Sequence, residues 1–383
     1  MSICSRRQWL IRTGLAAAGS ISARPVAAMA GTVAPARVAI AKCPSYGAEL
    51  LPAMQTLFDQ IGGVERLVKG KTVAIKLNMT GDTSYRLGRA PAEDTHYTHP
   101  RVIAATVNLL GSAGARRIRL LECCWSTADP LEEVMLSANW EPRDFLSAAP
   151  KVEFENTNYL GRAKRYSRLV TPHGGHMFRE FYLNHSYEDC DVFVSLAKMK
   201  EHATAGVTLS MKNCFGITPA TIYGEGAGTD EPSPEPHGGR LMFHQGHRQP
   251  AKPSPPENDP TSPRDGGYRV PRVVADLVAA RPIDLAIVEA VNSMAGGEGP
   301  WIRGSRPVSP GLLVAGTNCV ATDAVCMGLM GFDPMAERGK PPFESCDSTL
   351  ALAEKLGVGT RDLNDIQIAG PRIEDVRFRY RRT

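Results

Sequence analysis

The stretch VFVSLAKMKEHATAGVTLSMKNCFG, from Val192 to Gly216, carries three lysines and a histidine within fifteen residues of one another. Lys198, Lys200 and Lys212 repel each other when gathered, so a fold that brings them together needs solvent or a shared anionic partner. A phosphate or carboxylate would supply that partner. A desolvated lysine beside other cations gives up its proton more readily, which equips Lys200 or Lys212 as a base or an amine nucleophile. His202 or His99 would move the proton. The competing reading is a solvated charged turn followed by an amphipathic helix.

Similar residue types follow other apolar runs. Lys76 and Asn78 follow TVAIK, Glu122 follows RIRLL, Glu289 follows LAIV, and Thr317 and Asn318 follow GLLVAG, with Asp323 one turn later. If those runs are parallel strands, one carboxyl-end rim collects all of these residues, and ligands bind at such rims. Lys76, Lys198, Lys200 and Lys212 would then hold a small anionic molecule, while Asp323 and Glu289 orient it or bind metal. Ahead of Pro100, Asp94, His96 and His99 have the types to hold a divalent metal with oxygen and imidazole ligands, although a histidine capping a helix start explains the same spacing. Gly296-Gly297-Glu298-Gly299-Pro300 reads as a tight turn. Neither a P-loop nor a G-x-S-x-G elbow is present in the sequence.

The elements that must position these residues alternate between strand-like and helix-like. Strands are expected at Val38 to Ala41, Val73 to Lys76, Ile118 to Leu121, Val152 to Phe154, Val192 to Leu196, Leu285 to Val288, Leu312 to Ala315 and Ile366 to Ile368. Helices are expected at Leu50 to Ile61, Pro100 to Ala113, Leu131 to Ala138, Pro271 to Ala280, Val320 to Met330 and Ser348 to Leu356. The order implies an α/β fold with a mostly parallel sheet covered by helices, in one domain over 31–223 and 272–383. Between them, residues 224–271 hold ten prolines in forty-eight positions and read as a long, flexible Pro/Gly-rich insertion containing His237, His244 and His247, either a lid or unordered surface.

The amino terminus shows Arg6-Arg7, an uncharged run from Thr13 to Ala23 and small residues ending at Ala30, the pattern of a twin-arginine signal peptide over residues 1–30. Engagement of the twin-arginine export machinery and a periplasmic or other extracytoplasmic location are therefore expected, with no membrane span in the mature chain. Cleavage would remove four arginines and no acid, taking the formal charge from +4 to 4 − 4 = 0. A neutral chain argues against nonspecific nucleic-acid binding. Eight cysteines would remain after loss of Cys4, in no four-ligand spacing, so no intrinsic iron-sulfur cluster is expected.

Several separated motifs together resemble the family catalogued as domain of unknown function 362, over most of residues 71–360. They are Val73-Ala74-Ile75-Lys76-Leu77-Asn78, Thr98-His99-Pro100, Lys198-Met199-Lys200-Glu201-His202, Thr208 through Met211-Lys212-Asn213 with Gly216, Gly297-Glu298-Gly299-Pro300, and Val320-Ala321-Thr322-Asp323-Ala324. The resemblance adds Asn213 to the ligand-binding set and implies no reaction. Some relatives look like fusions to ferredoxin-type clusters, whose cysteine quartet this chain lacks. The leading expectation is an exported enzyme acting on a small anionic substrate through a Lys/His cluster, with a divalent metal as an optional helper. Two alternatives stand beside it: a binding protein for an anion or metal without catalysis, and a redox protein working with an iron-sulfur partner through Cys123 or Cys124.

Overall fold

All eight apolar runs become strands of one sheet. The computed structural model describes residues 35–125, 127–225, 227, 235–236, 239–246 and 255–381. The expected twin-arginine signal, His237 and His247 lie outside these residues. The strands are β1 (Ala36–Lys42), β2 (Thr72–Lys76), β3 (Arg117–Glu122), β4 (Val152–Asn156), β5 (Val192–Lys198), β6 (Leu285–Ala290), β7 (Leu312–Gly316) and β8 (Ile366–Ala369). Their spatial order is β8-β1-β7-β6-β5-β2-β3-β4. From β2 the chain steps outward through β3 and β4, then returns as β5 on the other side of β2. That reversal opens a crevice at the carboxyl ends of β2 and β5.

One strand departs from the expected single rim. β7 pairs antiparallel with both β1 and β6, Val38 opposite Gly316 and Ala286 opposite Gly316, so β7 ends where its neighbours begin. Thr317 and Asn318 therefore leave the sheet at the edge away from Lys76 and Glu122, and Asn318 instead caps a helix by accepting from Ala321 N at 3.0 Å.

Period-two alternation divides the apolar side chains between the two faces. Ala39, Val73, Ile75, Val194 and Leu196 pack under α1 (Leu50–Gln60) and α2 (Pro100–Ser112). Ile40, Ala74, Phe193 and Val288 pack under α3 (Gly266–Ala280), α4 (Cys319–Met330) and α5 (Thr349–Lys355). α2 starts where Pro100 occupies the first helical position behind an N-capping His99. α3 begins at Gly266, earlier than the expected Pro271, because the Asp265 side chain accepts from Gly267 N and Tyr268 N. Pro271 cannot donate to Gly267 O, and that carbonyl accepts from Asp347 N at 2.9 Å instead.

The insertion is anchored at two of its described segments. Glu257 accepts from the fully buried Arg269 of α3 through both oxygens and from Arg264 at 2.8 Å. In the short helix Leu241–Gln245, Phe243 is fully buried among Phe178, Phe181, Phe215 and Tyr223. Residues 239–246 are thus part of the core's edge, and the expectation of a flexible segment is corrected there by one docked aromatic ring.

Asp323, expected at the ligand, lies on α4 and is 1% exposed. It accepts from Ser210 N at 2.9 Å, Ser210 Oγ at 2.6 Å and Met211 N at 3.0 Å, tying α4 to the lysine-rich stretch just ahead of Lys212. Burial pushes its carboxyl up to about 7 against those donated bonds. Asp323→Ala orphans three donors at roughly 1–3 kcal/mol each. We expect a loss of about 3 kcal/mol or more in urea unfolding, and a loss below about 1 kcal/mol would show that the carboxylate does not hold this junction.

Candidate functional site

A cavity of about 500 Å³ opens at the carboxyl ends of β2, β3 and β5. Six of the residues expected at the ligand line it: Lys76, Asn78, Glu122, His202, Lys212 and Asn213. β2 delivers Lys76, whose Nζ sits 2.5 Å from Glu122 Oε1 and donates to Leu77 O at 2.6 Å and to Asn213 Oδ1 at 3.3 Å. Glu122 also accepts from Met79 N and Cys123 N, both at 2.9 Å, so three donors meet its side chain. Gly216 leaves room for this ammonium, since a Cβ there would stand 2.9 Å from Lys76 Nζ. The short helix Ser210–Asn213 carries Lys212, whose ammonium lies over the Phe215 ring at 4.3 Å from its centroid.

Lys198 and Lys200 are not in the cavity wall. The pleat decides the first of these: Leu196 packs on the α1/α2 face, so Lys198, two residues on, points to that face and away from Lys76. There it forms an ion pair with Glu289, both side chains fully buried, and donates to Glu93 O at 2.8 Å and Asn292 O at 2.9 Å. Glu289 accepts in addition from His99 N at 3.0 Å and Tyr46 Oη at 3.1 Å. This is a structural clamp joining β5, β6 and the entry to α2. Lys200 donates to His96 O at 2.7 Å, and burial together with the nearby lysines drives its ammonium well below the usual range.

The expected metal ligands are not brought together. Asp94 accepts from Asn292 Nδ2 at 3.1 Å, His96 Nδ1 is 2.9 Å from Thr95 Oγ1, and His99 Nδ1 accepts from Arg101 N at 3.1 Å while its ring stacks on Tyr46. Burial pushes His96 down to about 2 and His99 to about 3, Lys200 adding to the first and Lys198 to the second. Among the described residues no three His, Cys, Asp or Glu side chains converge as a metal site. The metal assignment to Asp94, His96 and His99 is corrected accordingly: the helix-cap alternative describes His99. Cys123 lines the cavity and Cys124 lies behind it, both buried with thiols pushed up by desolvation, which disfavours the thiolate that thiol redox chemistry needs.

Among the cavity residues outside the expected ligand set are Arg240, His244, Glu298 and Trp301. Docking of Phe243 puts Arg240 and His244 on the wall, and the Gly297-to-Pro300 turn adds Glu298 and Trp301. Arg240 donates from Nε to Thr218 O at 3.1 Å and from Nη2 to Cys123 O at 3.3 Å. Glu298 accepts from Ala203 N at 2.9 Å. Among the described residues neither Lys212 nor Arg240 has a carboxylate within ion-pair distance. The wall's formal balance is Lys76, Lys212 and Arg240 against Glu122 and Glu298, 3 − 2 = +1. Thr208 Oγ1, also in the wall, is buried without a hydrogen-bond partner. The family resemblance implies a place near the site for His244, which the long insertion put in doubt, while Arg240 was marked only by its type, inside a segment whose composition pointed away from order.

The two wall histidines are neutral and carry opposite tautomers. His202 Nδ1 accepts from Thr204 N at 3.1 Å, leaving the ring proton on Nε2, and burial with Lys212 and His244 drives its pKa well below the usual value. His244 Nδ1 lies 3.2 Å from Arg240 O and must donate to it, leaving Nε2 as an acceptor, and burial pushes its pKa down to about 4. A ring N–H that donates a hydrogen bond and a ring nitrogen that accepts one thus share one cavity.

Residues 73–328 match the model of a family described as "Domain of unknown function (DUF362)". A thylakoid-associated protein of Synechocystis sp. is 24% identical over 323 residues, which is 84% of this chain and 79% of that protein. A crystal structure of a protein from Thermotoga maritima is similar at 13% identity and a TM-score of 0.36, covering 75% of this chain. The chain spans 59% of that structure's length. No helix among the described residues is long and apolar enough to cross a membrane.

The two classes of lysine separate by stability. Lys198→Met leaves Glu289 buried without its cation and is expected to cost about 3–5 kcal/mol in denaturant unfolding. Lys212, pushed down to about 7 by burial, behaves oppositely. A lysine held below its unfolded value of roughly 10.4 costs stability while charged, and the cost fades as pH rises from about 7 through that value. Lys212→Met should therefore unfold no earlier than the parent at about pH 6; equal losses in both variants would refute the distinction.

Proposed function

The chain belongs to the DUF362 family, and from its cavity we propose that it binds a small oxyanion, phosphate- or carboxylate-bearing, and acts on it as an enzyme. The observation that carries this reading is that Lys212 and Arg240 face one cavity with no carboxylate partner among the described residues. Two cations left unpaired in a partly desolvated wall are costly unless an anion joins them. The orphaned hydroxyl of Thr208 offers such an anion one more donor. Lys76, already committed to Glu122, contributes field more than a bond.

For turnover, His244 Nε2 accepts a proton from the bound substrate and His202 Nε2–H donates a hydrogen bond to it, each set by the bond its Nδ1 makes. Lys212, pushed down to about 7, supplies an ammonium to the anion at lower pH and an amine above it. Export by the twin-arginine route and a location outside the cytoplasm belong to the same proposal, resting on the Arg6-Arg7 pattern and the small residues ending at Ala30. The thylakoid association in one relative's name is said of that protein alone.

Sulfate tests the anion reading because its charge does not change near neutrality. Affinity measured by titration calorimetry should fall as pH rises through about 7, where the Lys212 ammonium is lost. Lys212→Met should weaken sulfate roughly 10- to 100-fold at about pH 6, the worth of one charge-assisted hydrogen bond, and flatten the pH dependence. Binding that is unchanged by the substitution would overturn the role of Lys212. A substrate recovered unaltered after incubation with saturating protein would leave a binder rather than an enzyme.

A further inference from the structure

We infer that the anion taken by this cavity is carried on a flat, aromatic ring system, and that Trp301, Tyr85 and Trp125 at the cavity wall hold that ring. The inference rests on the oxyanion reading above and extends it to the rest of the ligand. A water molecule takes up about 30 Å³ in the liquid. A cavity of about 500 Å³ therefore has room for a small organic molecule well beyond a bare oxyanion.

Three aromatic side chains line the same cavity as Lys212 and Arg240, yet remain open to solvent: Tyr85 is 38% exposed, Trp125 38% and Trp301 44%. Scattered exposed aromatics are ordinary, but these adjoin. The Tyr85 centroid lies 5.5 Å from that of Trp301 and 6.4 Å from that of Trp125, with interplanar angles of 56° and 49°. The rings tilt against one another, leaving aromatic surface open toward the cavity.

The placement of Trp301 is built in. A Cβ on Gly81 would meet its ring at 2.6 Å and one on Gly299 at 2.2 Å, so two glycines from separate loops make the bed on which the indole lies. Its Nε1 donates to Glu298 at 3.3 Å, and Tyr97 Oη holds the Gly81 carbonyl at 2.8 Å. This gives the Gly297-to-Pro300 turn a purpose beyond its bend: it lets an aromatic plane lie close to the backbone. An ordered ring loses little conformational freedom on binding and stacks on any planar partner. Aromatic surface combined with unpaired cations suits a ligand with a planar body and an anionic head.

The test pairs two monoanions with one head group, 2-naphthyl sulfate and methyl sulfate, titrated into the full chain by calorimetry at about pH 6. In the parent protein the naphthyl ester should bind roughly tenfold tighter or more, the scale of aromatic stacking. Trp301→Ala and, independently, Trp125→Ala should bring the naphthyl ester toward the methyl one while leaving methyl sulfate within about twofold. Lys212→Met should weaken both. Equal affinities in the parent, or an unchanged ratio in both tryptophan variants, would overturn the ring site. Failure of methyl sulfate to bind the parent would instead overturn the oxyanion reading beneath it.

Discussion

Buried ammonium groups at the ends of parallel strands are the constraint to which the rest of this molecule answers. Lys76, Lys198 and Lys200 are each at most 1% exposed, and a buried cation is tolerable only with a partner or without its proton. Two are neutralised by carboxylates from neighbouring strands, Lys76 by Glu122 and Lys198 by Glu289. Lys200 is left with a backbone carbonyl. The sheet's reversal between β2 and β5 is what makes this crowding useful, because it leaves an open crevice beside the one pair that faces it.

The two ion pairs do different work on opposite faces. Lys198 and Glu289 gather Tyr46, His99 N, Glu93 O and Asn292 O into a closed network in which each charge is met by several dipoles. Lys76 and Glu122 lie in the cavity wall, with Lys212 and Arg240 in the same wall. A closed network stiffens the strand ends, while an incompletely paired one keeps charge in reserve for a ligand. The same side-chain chemistry thus becomes scaffold or site according to what surrounds it.

Elements remote in the chain complete the wall by packing as well as by polar bonds. Phe243 enters an aromatic cluster formed with Phe178, Phe181, Phe215 and Tyr223, and its neighbours Arg240 and His244 are carried into place. Trp301 lies on Gly81 and Gly299 and brings Glu298 with it. Burial of one ring is a large enough driving force, about 1.5–3 kcal/mol, to hold a short segment that has little regular structure of its own.

Residue types and their periodicity alone determined the α/β class, all eight strands, most helix positions and five of the cavity's residues, Asn213 being added by the family resemblance, because alternation and strand-end polarity are local signals. The family motifs around Lys76, Lys212 and Gly216 were legible for the same reason. Tertiary structure alone decided that β7 runs backwards, which removes Thr317 and Asn318 from the rim, and that Asp323 braces a helix rather than a ligand. It also decided which face each lysine meets. A period of two assigns side chains to alternate faces but cannot say which face a cavity will occupy, and composition cannot reveal that one phenylalanine in a proline-rich segment finds a pocket in the core.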